Sequence, residues 1–530
     1  MGREEEIIKE RIKKIEEMKK KGINPYPYNF NKKTDAAFLQ AEYKDLKNEA
    51  KGKETSIAGR IMGIRDLGKI IFAVLQDGSG KIQIVLQEGE TPGKEIENFK
   101  KFFDTGDFIG VIGKIFRTKR GELSILAERV EMLSKSIKGI PDQHFGLQDK
   151  EERYRKRYLD LIMKPEVRDV FDKREKILDT IRGLLKSNGF NEVETPYIQT
   201  IYGGAAAKPF ETHLNALDMD LFLAISPELY LKRLIIGGYE KVFTIARNFR
   251  NEGIDRWHNP EFTMMELYQA YADYNDMMNL FEEICEYTAK KVNGTTKVNF
   301  RGKEIDFKRP WKRMTMEEAI EKFAGIDVRK LSEKELTKII DKEKIQAKGK
   351  TKGWLVQAIF EHYCEDKLEQ PTFIIDHPLE TTPLCKVHRD HRLCHLIERF
   401  EPFCAGAELG NAYSELNDPI KQRELLEAQE KEMKKGNEEA NPYDEDFVNA
   451  LEIGMPPTGG IGLGIDRFVM LLTEQDSIRD VLLFPFMKPT TEENGKKDEF
   501  VKEVEKDIKE RKEEIKKVKE KNNTKGKKKK

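Results

Sequence analysis

The sequence predicts an α+β protein with two or more domains. Its 530 residues exceed what one ordinary hydrophobic core accommodates. Short strand patterns fill residues 55–134, whereas helical and strand patterns alternate further along the chain. Residues 241–268 have the composition of two strands joined by a long polar loop. A strand-rich first part and a mixed second part are typical of the α+β class.

Composition limits the classes of partner and compartment. Lysine plus arginine equal aspartate plus glutamate, at 95 each, so a nucleic-acid partner must be met by local basic patches. Five cysteines in so long a chain indicate a reduced protein, and the first residues lack the apolar run of a signal peptide. No apolar run approaches the length that spans a membrane. We therefore expect a soluble, cytoplasmic protein.

The N-terminal segment, residues 1–53, is interpreted as a helical extension. Residues 4–22 carry an apolar stripe at helical spacing, formed by Ile7, Ile8, Ile12 and Ile15. We expect this helix to pack on its own domain. Contact between its basic face and RNA is the alternative.

Residues 54–135 predict a five-stranded OB-fold barrel. Three strand patterns, a helical run at Glu95–Phe103 and two further strand patterns follow one another; the strands are Ser56–Ile64, Ile70–Leu75, Ile82–Leu86, Phe108–Phe116 and Leu123–Met132. OB folds commonly bind oligonucleotides. Phe72 could stack on a base and Gln83 could form a hydrogen bond with one. The alternative is that Phe72 is an ordinary core residue.

Residues 241–268 predict an antiparallel hairpin that ends at a charged site. Period-two alternation places Phe262, Met264, Glu266 and Tyr268 on one face of the second strand. Arg250 ends the first strand, where its planar guanidinium could bind a phosphate or a carboxylate. The face is therefore interpreted as the floor of a polar binding site. A surface hairpin with charged edges is the alternative.

Residues 136–165 are interpreted as a linker, and two helices follow it. Glu166–Ser187 has the pattern of a long amphipathic helix. Ser226 and Pro227 predict the start of a second helix, with the serine as its cap and the proline in the first helical position.

Two segments near the C-terminal end carry further candidate site residues. Glu401, Glu408 and Glu415 recur every seven residues in a segment whose small and β-prone residues favour strands over a helix. Three carboxylates near one site suit a metal-bound polyphosphate or a cationic substrate. Gly459–Arg467 is rich in glycine and leads into an apolar helix at Phe468–Leu472, so Arg467 could face an anion or stack on a base.

Two remaining features have weaker interpretations. Cys385, His388, His391, Cys394 and His395 are close in sequence, but their spacing does not match a known zinc finger or knuckle. The lysine- and glutamate-rich tail, residues 490–530, is expected to be largely disordered, with weak tethering of RNA as the alternative.

Taken together, these segments resemble the class II (subclass IIb) lysyl-tRNA synthetases over residues 23–489. Glu166–Pro196 resembles motif 1 of the family, Phe249–Glu266 motif 2 and Gly459–Arg467 motif 3. Three longer signatures resemble the lysine-specific members: Ser226–Tyr230, Phe262–Tyr268 and Asn411–Asp418. The resemblance implies a catalytic domain at residues 166–489, built on an antiparallel sheet flanked by helices, and a homodimer formed through motif 1.

The resemblance also implies a function and a set of site residues. The function is ligation of L-lysine to tRNA(Lys), through a lysyl-adenylate made from ATP, with Mg²⁺ as cofactor. The implied lysine-binding residues are Gly204, Glu228, Arg250, Tyr268, Asn411 and Glu415. The implied ATP-binding residues are Arg250, Glu252, His258, Asn259, Phe262, Glu266 and Arg467, with Glu401 and Glu408 as ligands of Mg²⁺. The implied catalytic residues are Arg250, Arg467 and Glu408, and the implied anticodon contacts are Phe72, Gln83, Arg65 and Glu122.

The chain departs from the family pattern at a few positions, and three other functions are alternatives. Trp257 stands where some members carry an arginine that contacts ATP, with Arg256 beside it as a replacement. An aspartyl or asparaginyl enzyme would need a basic side-chain reader and typically a glutamine in place of Glu228. A protein-lysylating relative would lack the OB domain, and a non-catalytic RNA-binding relative would have a broken site.

Overall fold

The computed structural model describes residues 3–141, 147–436 and 440–488. These residues group into two compact units, Met1–Gln148 and Asp149–Lys530. The boundary lies inside the segment predicted as a linker. Residues 490–530, the predicted charged tail, lie outside the described residues.

The first unit is a closed five-stranded barrel with two preceding helices. The strands are ordered β1-β2-β3-β5-β4, which is the OB arrangement that the sequence predicts. Its elements are α1 (Arg3–Lys20), α2 (Ala36–Glu42), β1 (Lys51–Asp66), β2 (Ile70–Gln76), β3 (Lys81–Gln87), α3 (Gly93–Phe102), β4 (Phe108–Arg117) and β5 (Leu123–Ser134). Met18, Ala36 and Leu39 from the two helices join the hydrophobic core of the barrel. The predicted N-terminal extension is thus part of this unit's core.

The outer face of the barrel carries the predicted base-reading residues. Ile71, Ala73 and Leu75 point into the core, so alternation turns Phe72 outward, where it is half-buried. Phe72 pairs in register with Arg65, whose guanidinium lies 5.4 Å from the centre of the phenyl ring. Gln83 lies on the same face and donates from Nε2 to Ser124 Oγ at 2.9 Å. Glu122 is exposed in the turn before β5. Phe72 is therefore not a core residue.

The second unit is built on a nine-stranded mixed sheet. The strands run in the order β14-β15-β16-β18-β19-β11-β10-β6, and β17 pairs with β16. The pairings β14–β15 and β10–β6 are parallel, and the others are antiparallel. Two small sheets, β12-β13 and β7-β9-β8, accompany it. The antiparallel sheet flanked by helices that the sequence predicts is therefore confirmed, with parallel pairings added near both edges.

The strands of this unit are β6 (Asn191–Glu192), β7 (Ile198–Gln199), β8 (Glu211–Leu214), β9 (Met219–Leu223), β10 (Lys241–Phe249), β11 (Glu261–Ala270), β12 (Lys297–Phe300), β13 (Lys303–Asp306), β14 (Lys312–Thr315), β15 (Thr372–Pro378), β16 (Leu396–Cys404), β17 (Ala407–Glu408), β18 (Gly410–Ser414) and β19 (Thr458–Gly464). Its α-helices are α4 (Lys150–Arg155), α5 (Arg157–Met163), α6 (Pro165–Ser187), α7 (Glu228–Ile236), α8 (Tyr274–Asn293), α9 (Met316–Ala324), α10 (Glu333–Glu343), α11 (Lys352–Tyr363), α12 (Pro419–Lys434), α13 (Glu445–Ile453), α14 (Ile465–Leu472) and α15 (Ile478–Val481). Short 3₁₀ helices lie at Val328–Lys330, Glu365–Lys367, Leu379–Thr381 and His391–Leu393.

Helix α8 packs on one face of the large sheet, and the candidate site lies on the other face. Met277, Phe281 and Ile284 of α8 pack with Ile461 and Leu463 of β19 in the main core. The neighbours of these two strand residues, the glycines of β19, therefore point to the opposite face. The functional residues are found on that second face.

Two local predictions need correction. Ser226 does accept a hydrogen bond from the Glu228 backbone N–H, at 3.1 Å, but α7 begins at Glu228, so Pro227 precedes the first helical residue. Residues 150–163, which lie in the predicted linker, form α4 and α5. Arg157 holds them in place because its guanidinium donates to the backbone oxygens of Arg479, Leu482 and Leu483.

Candidate active site

The glycines of β19 form the floor of the site. Gly460 pairs with Tyr268 of β11 on one side and with Tyr413 of β18 on the other. Gly462 pairs in the same way with Glu266 and Asn411. Because the central strand carries no side chains on this face, the flanking side chains line an open trough. The local pattern of glycines between two polar strands thus creates the space for a ligand.

Two cavities meet above this floor. The first cavity is lined by, among others, Arg250, Glu252, Trp257, His258, Asn259, Phe262, Glu408 and Arg467. The second cavity is lined by, among others, Gly204, Ser226, Glu228, Arg250, Glu266, Tyr268, Arg399, Glu401, Glu408, Asn411, Tyr413, Glu415 and Gly460. Arg250 and Glu408 line both cavities. A ligand in one cavity can therefore be brought to a ligand in the other at these two residues.

Arg250 is the central cation of the site. It lies at the end of β10, where its backbone N–H donates to Pro260 O at 2.9 Å and closes the long loop of the hairpin. Its guanidinium lies 5.1 Å from the centre of the Phe262 ring. Burial lowers the pKa of Arg250, and Glu252, Glu408 and Glu266 oppose that effect. The buried Nε of Arg250 has no hydrogen-bond partner among the residues that the structure describes, so the group is ready to bind an anion.

Arg467 enters the first cavity from the start of α14. Its Nη1 donates to Glu408 O at 2.6 Å, and its Nη2 lies 2.9 Å from His258 Nε2. Because arginine only donates, His258 Nε2 accepts and His258 Nδ1 carries the hydrogen that faces Asp255 Oδ2 at 2.7 Å. The guanidinium is therefore held on two sides, and its flat face is left for a planar ligand.

The neighbouring Asp466 anchors α14 to the rest of the site. Its carboxylate accepts from the Thr263 backbone N–H at 2.7 Å and pairs with Arg174 Nη1 of α6 at 2.6 Å. Arg174 Nη2 also donates to Thr263 Oγ1 at 3.0 Å. The long helix α6, the hairpin strand β11 and α14 are thus tied together beside Arg467.

Three buried carboxylates dominate the second cavity. Glu228, Glu266 and Glu415 are all less than one-tenth exposed. Burial, and next the charge of Glu228, raise the pKa of Glu266 to about 8, although Ser226 Oγ donates to it at 2.9 Å. Burial also raises the pKa of Glu415, against the opposing effect of Lys232. Glu415 Oε2 pairs with Lys232, whereas Glu415 Oε1 accepts no hydrogen bond within the described residues. The cavity is therefore prepared for a cation.

Glu408 lines both cavities, Glu401 lines the second, and their negative charges repel each other. Burial raises the pKa of both, and the negative charge of Glu401 raises that of Glu408 further. Glu401 pairs with Arg399, whose Nε donates to Asn411 Oδ1 at 2.9 Å. Within residues 3–141, 147–436 and 440–488, no group of three or more His, Cys, Asp or Glu side chains is arranged to hold a metal ion. Two carboxylate oxygens that repel each other nevertheless fit Mg²⁺, which usually takes one or two carboxylates together with phosphate oxygens.

The sequence comparisons agree on one family. A family model described as tRNA synthetases class II (D, K and N) matches residues 149–488, and one described as an OB-fold nucleic acid binding domain matches residues 55–133. The lysine–tRNA ligase of Methanoculleus marisnigri is 48% identical over 492 residues, which cover 92% of this chain and 96% of that protein. The lysine–tRNA ligase of Clostridium novyi is 49% identical over 489 residues, which cover 91% of this chain and 95% of that protein. The lysine–tRNA ligase of Pelotomaculum thermopropionicum is 50% identical over 495 residues, which cover 92% of this chain and 96% of that protein.

The chain belongs to the lysine–tRNA ligase family of class II tRNA synthetases. It is an aminoacyl-tRNA synthetase of α+β architecture, with an OB domain ahead of the class II domain. No helix in the described part of the chain is long and apolar enough to cross a membrane.

The structure brings together most of the site residues that the resemblance implies. Glu252, His258, Asn259, Phe262 and Arg467 line the first cavity, and Gly204, Glu228, Tyr268, Asn411 and Glu415 line the second. Glu266, predicted with the ATP-binding residues, lines only the second cavity of the two. The reason is strand geometry, because Glu266 lies four positions after Phe262, or about 13 Å along β11.

Arg256 and the neighbouring Trp257 line different cavities. Arg256 lines a cavity with Arg301 and Arg479, whereas Trp257 lines the first cavity and stacks under Arg301 at 5.0 Å. The replacement of a missing arginine by Arg256 therefore stays a prediction. The cysteine and histidine cluster forms no metal site in the described chain; His388 lies 3.8 Å from Asp376, and His395 lies 4.0 Å from Glu317.

Sequence reasoning missed three residues of the site: Lys232, Arg399 and Tyr413. The hydroxyl of Tyr413 donates to Glu228 Oε1, and Lys232 pairs with both Glu228 and Glu415. Regular spacing could have found them. Tyr413 shares a strand face with Asn411 and Glu415, Arg399 shares one with Glu401, and Lys232 lies one helical turn after Glu228.

Proposed function

We propose that the two cavities together activate L-lysine with ATP, which gives lysyl-adenylate and pyrophosphate, and that the lysyl group then passes to the 3′ end of tRNA(Lys). The observation that carries this proposal is the position of Glu415. Its carboxylate is 1% exposed and lines the same cavity as Arg250, but it does not line the first cavity. A buried acid facing a cation at a fixed separation suits an amino acid with a distal ammonium group.

We assign the ends of lysine to separate groups in the second cavity. Glu415 and Tyr268 would bind the ε-ammonium, and Glu228 with the Gly204 backbone would bind the α-ammonium. Arg250 and Asn411 would bind the carboxylate. Because Asn411 Oδ1 accepts from Arg399, the amide NH₂ of Asn411 is the part left to donate to that carboxylate.

We assign the first cavity to ATP. Phe262 and the flat face of Arg467 would hold the adenine ring between them, which is supported by the fixing of Arg467 through His258 and Glu408. Glu252, His258 and Asn259 would line the same nucleotide. Glu266 would act from the lysine side, since it lines the second cavity.

Glu401 and Glu408 are the residues that would hold Mg²⁺. When bound, the ion would neutralise charge that builds up on the phosphate oxygens. The repulsion between the two carboxylates supports this assignment, because a shared cation removes it.

In the proposed first step, the lysine carboxylate oxygen attacks the α-phosphorus in line. A bond forms between that oxygen and phosphorus, the bond from the α-phosphorus to the bridging oxygen breaks, and pyrophosphate leaves with the electron pair. No protein nucleophile is needed. Arg250 would bind both reactants, and Arg250 with Arg467 would offset the charge of the transition state; rate enhancement then comes from placement and electrostatics. In the second step a terminal hydroxyl of tRNA attacks the lysyl carbonyl carbon, and AMP leaves.

The tRNA anticodon would bind the OB domain. Arg65, Phe72 and Gln83 share one outer face of the barrel, with Glu122 in the adjoining turn, and offer a stacking ring, a cation and an amide. This combination suits single-stranded bases.

The proposed oligomer is a homodimer formed through α6. Sedimentation velocity at several protein concentrations tests whether the protein is a dimer. The proposed compartment is the cytoplasm.

Amino-acid-dependent exchange of pyrophosphate into ATP tests the proposed function. The purified protein is assayed with lysine, aspartate and asparagine in turn. Exchange with lysine alone is expected, because the cavity offers acids to the side chain. Exchange with aspartate or asparagine, or no exchange with any of the three, would overturn the proposal.

A further inference from the structure

Lys232 is a buried cation that the proposed function has not used. It lies in the second turn of α7, is fully buried and is one of the largest buried side chains of the chain. Its Nζ lies 2.7 Å from Glu228 Oε1 and pairs with Glu415 Oε2. A lysine is almost never buried without paired acids, and here it has two.

The position of Lys232 distinguishes it from the residues that line the cavity. Glu228, Glu415 and Tyr413 line the second cavity, whereas Lys232 does not. Its ammonium instead lies 5.5 Å from the centre of the Tyr413 ring and 5.9 Å from that of Phe447. Lys232 therefore contacts the two carboxylates from the protein side, behind the wall that a ligand would meet.

The contacts of Lys232 use one oxygen of each carboxylate. Glu228 Oε1 accepts from both Lys232 Nζ and the Tyr413 hydroxyl. Glu415 turns Oε2 toward Lys232, whereas its Oε1 has no hydrogen-bond partner in the described part of the chain and lies in front of Gly460. The ammonium thus fixes the orientation of both acids and leaves Glu415 Oε1 for a ligand.

A fixed cation beside the buried acids of the second cavity offsets part of their negative charge. Glu228, Glu266 and Glu415 carry three potential negative charges, and Arg250 with Lys232 supplies two positive ones. Lysine adds one net positive charge, which offsets the third of these negative charges when all three acids are ionised. Without Lys232, two adjacent buried carboxylates would share a proton, because like charges in a low dielectric cannot both persist. Burial lowers the pKa of Lys232, and Glu228 and Glu415 more than offset this, so the group stays charged.

We propose that Lys232 is a specificity-determining positioning residue, which orients Glu228 and Glu415 and places a fixed positive charge behind them, so that the cavity selects a substrate with two ammonium groups. This inference rests on the proposed function, because it refines the site for the same amino acid. Lys232 acts through the two carboxylates and does not touch the substrate.

Lys232→Met and Lys232→Gln test the proposal in the full-length protein. The methionine removes the charge and both contacts, whereas the glutamine keeps hydrogen-bond donors without the charge. Arg233→Met is the matched control, because Arg233 is the next residue of α7 and pairs at 2.8 Å with Asp444, away from Glu228 and Glu415. Calorimetry measures the dissociation constants of lysine and of ATP, and pyrophosphate exchange gives the two KM values.

The expected result is a split between the two substrates. Lys232→Met weakens lysine binding by at least about 30-fold and Lys232→Gln by at least about fivefold, because a desolvated charge is lost in each. ATP binding stays within about twofold of the wild type in both variants and in Arg233→Met. Competition with 6-hydroxynorleucine, in which a hydroxyl replaces the ε-ammonium, supplies the second readout. The preference for lysine over this analogue falls by about tenfold in Lys232→Met, because a protonated Glu415 no longer needs a cation.

Other outcomes overturn the proposal. Unchanged lysine affinity in both variants would do so, as would an equal loss of lysine and ATP binding, which would show a merely structural role. If the wild-type protein and the variants bind lysine equally well, only the role of Lys232 is removed. Wild-type protein that binds no lysine would remove the proposed function itself.

Discussion

Glu415 Oε1 occupies the space in front of Gly460. A β-carbon built on Gly460 would lie 2.1 Å from this oxygen and 2.6 Å from Cε1 of Tyr268. Both distances are below any van der Waals contact, so the absence of a side chain at residue 460 is what allows the acid and the phenol to meet. Gly462, the next residue on the same face, would place its β-carbon no closer than 3.6 Å to its neighbours.

Gly460→Ala is expected to weaken lysine binding by at least about tenfold, because the new methyl group displaces Glu415 and Tyr268. ATP affinity is expected to change by less than about threefold, since Gly460 does not line the first cavity. The measurement is the KM of each substrate in pyrophosphate exchange. Gly462→Ala is the comparison variant and is expected to have the smaller effect on lysine. A larger loss in Gly462→Ala would contradict this account of the floor.

Lysine binding is expected to release a proton at neutral pH. The pKa of Glu266 is raised to about 8 by burial and by Glu228, so this acid is largely protonated at pH 7 in the empty cavity. Lysine brings net positive charge and favours the ionised form. Its affinity should therefore increase as the pH rises from 6 to 8, by at most about tenfold per unit.

Calorimetry in two buffers with different ionisation enthalpies measures the released proton directly. Between about half a proton and one proton per lysine is expected at pH 7, from a group with a pKa of about 8. Glu266→Gln carries no ionisable group at this position and should release much less. Proton uptake, or the same release in Glu266→Gln, would show that another group is linked to binding.

Phe262→Leu is expected to weaken ATP binding by about 1–3 kcal/mol, or about 5- to 150-fold, which is the usual value of stacking between a base and an aromatic ring. Some loss for lysine is also expected, because the Phe262 ring supports the Arg250 guanidinium at 5.1 Å. Phe249→Leu is the matched control, since Phe249 is next to Asn248, the partner of Phe262 across the hairpin, and so points to the other face. Equal ATP affinity in Phe262→Leu and the wild type would remove the adenine assignment.

Phe72→Ala is expected to raise the KM for tRNA by about tenfold, from the loss of one stacking ring, and to leave pyrophosphate exchange unchanged. Phe108→Ala is the matched control. Phe108 is another outward-facing ring of the same barrel that carries an arginine, at 4.1 Å from Arg60. The aminoacylation assay with tRNA as the varied substrate gives both KM values. An equal effect of the two variants would argue against an anticodon site at Phe72.

Local patterns were sufficient to predict the barrel strands, the hairpin of β10 and β11 and many of the residues that line the two cavities. Alternation along the hairpin located Phe262, Met264, Glu266 and Tyr268, and the strand order located the barrel. What alternation does not give is distance along a strand between two ligands. Glu266 has the predicted face but lines only the second cavity of the two, whereas Phe262 lines the first.

Contacts that depend on tertiary packing were outside what the sequence could supply. Lys232 has the spacing of an ordinary i,i+4 partner for Glu228, and only the approach of β18 brings Glu415 to the same ammonium. Arg256 is adjacent to Trp257 in sequence, yet the turn between them sends the two side chains to different cavities. In both cases the contacts of the side chain depend on the position of another part of the fold, which local sequence patterns do not give.

Glu415→Gln is the most direct test of the central claim, which is that a buried acid beside an arginine-held nucleotide selects a cationic amine. The variant keeps the shape of the side chain and removes its charge. Lysine-dependent exchange of pyrophosphate should disappear while ATP still binds with the wild-type affinity. Exchange retained at ordinary lysine concentrations would contradict the claim.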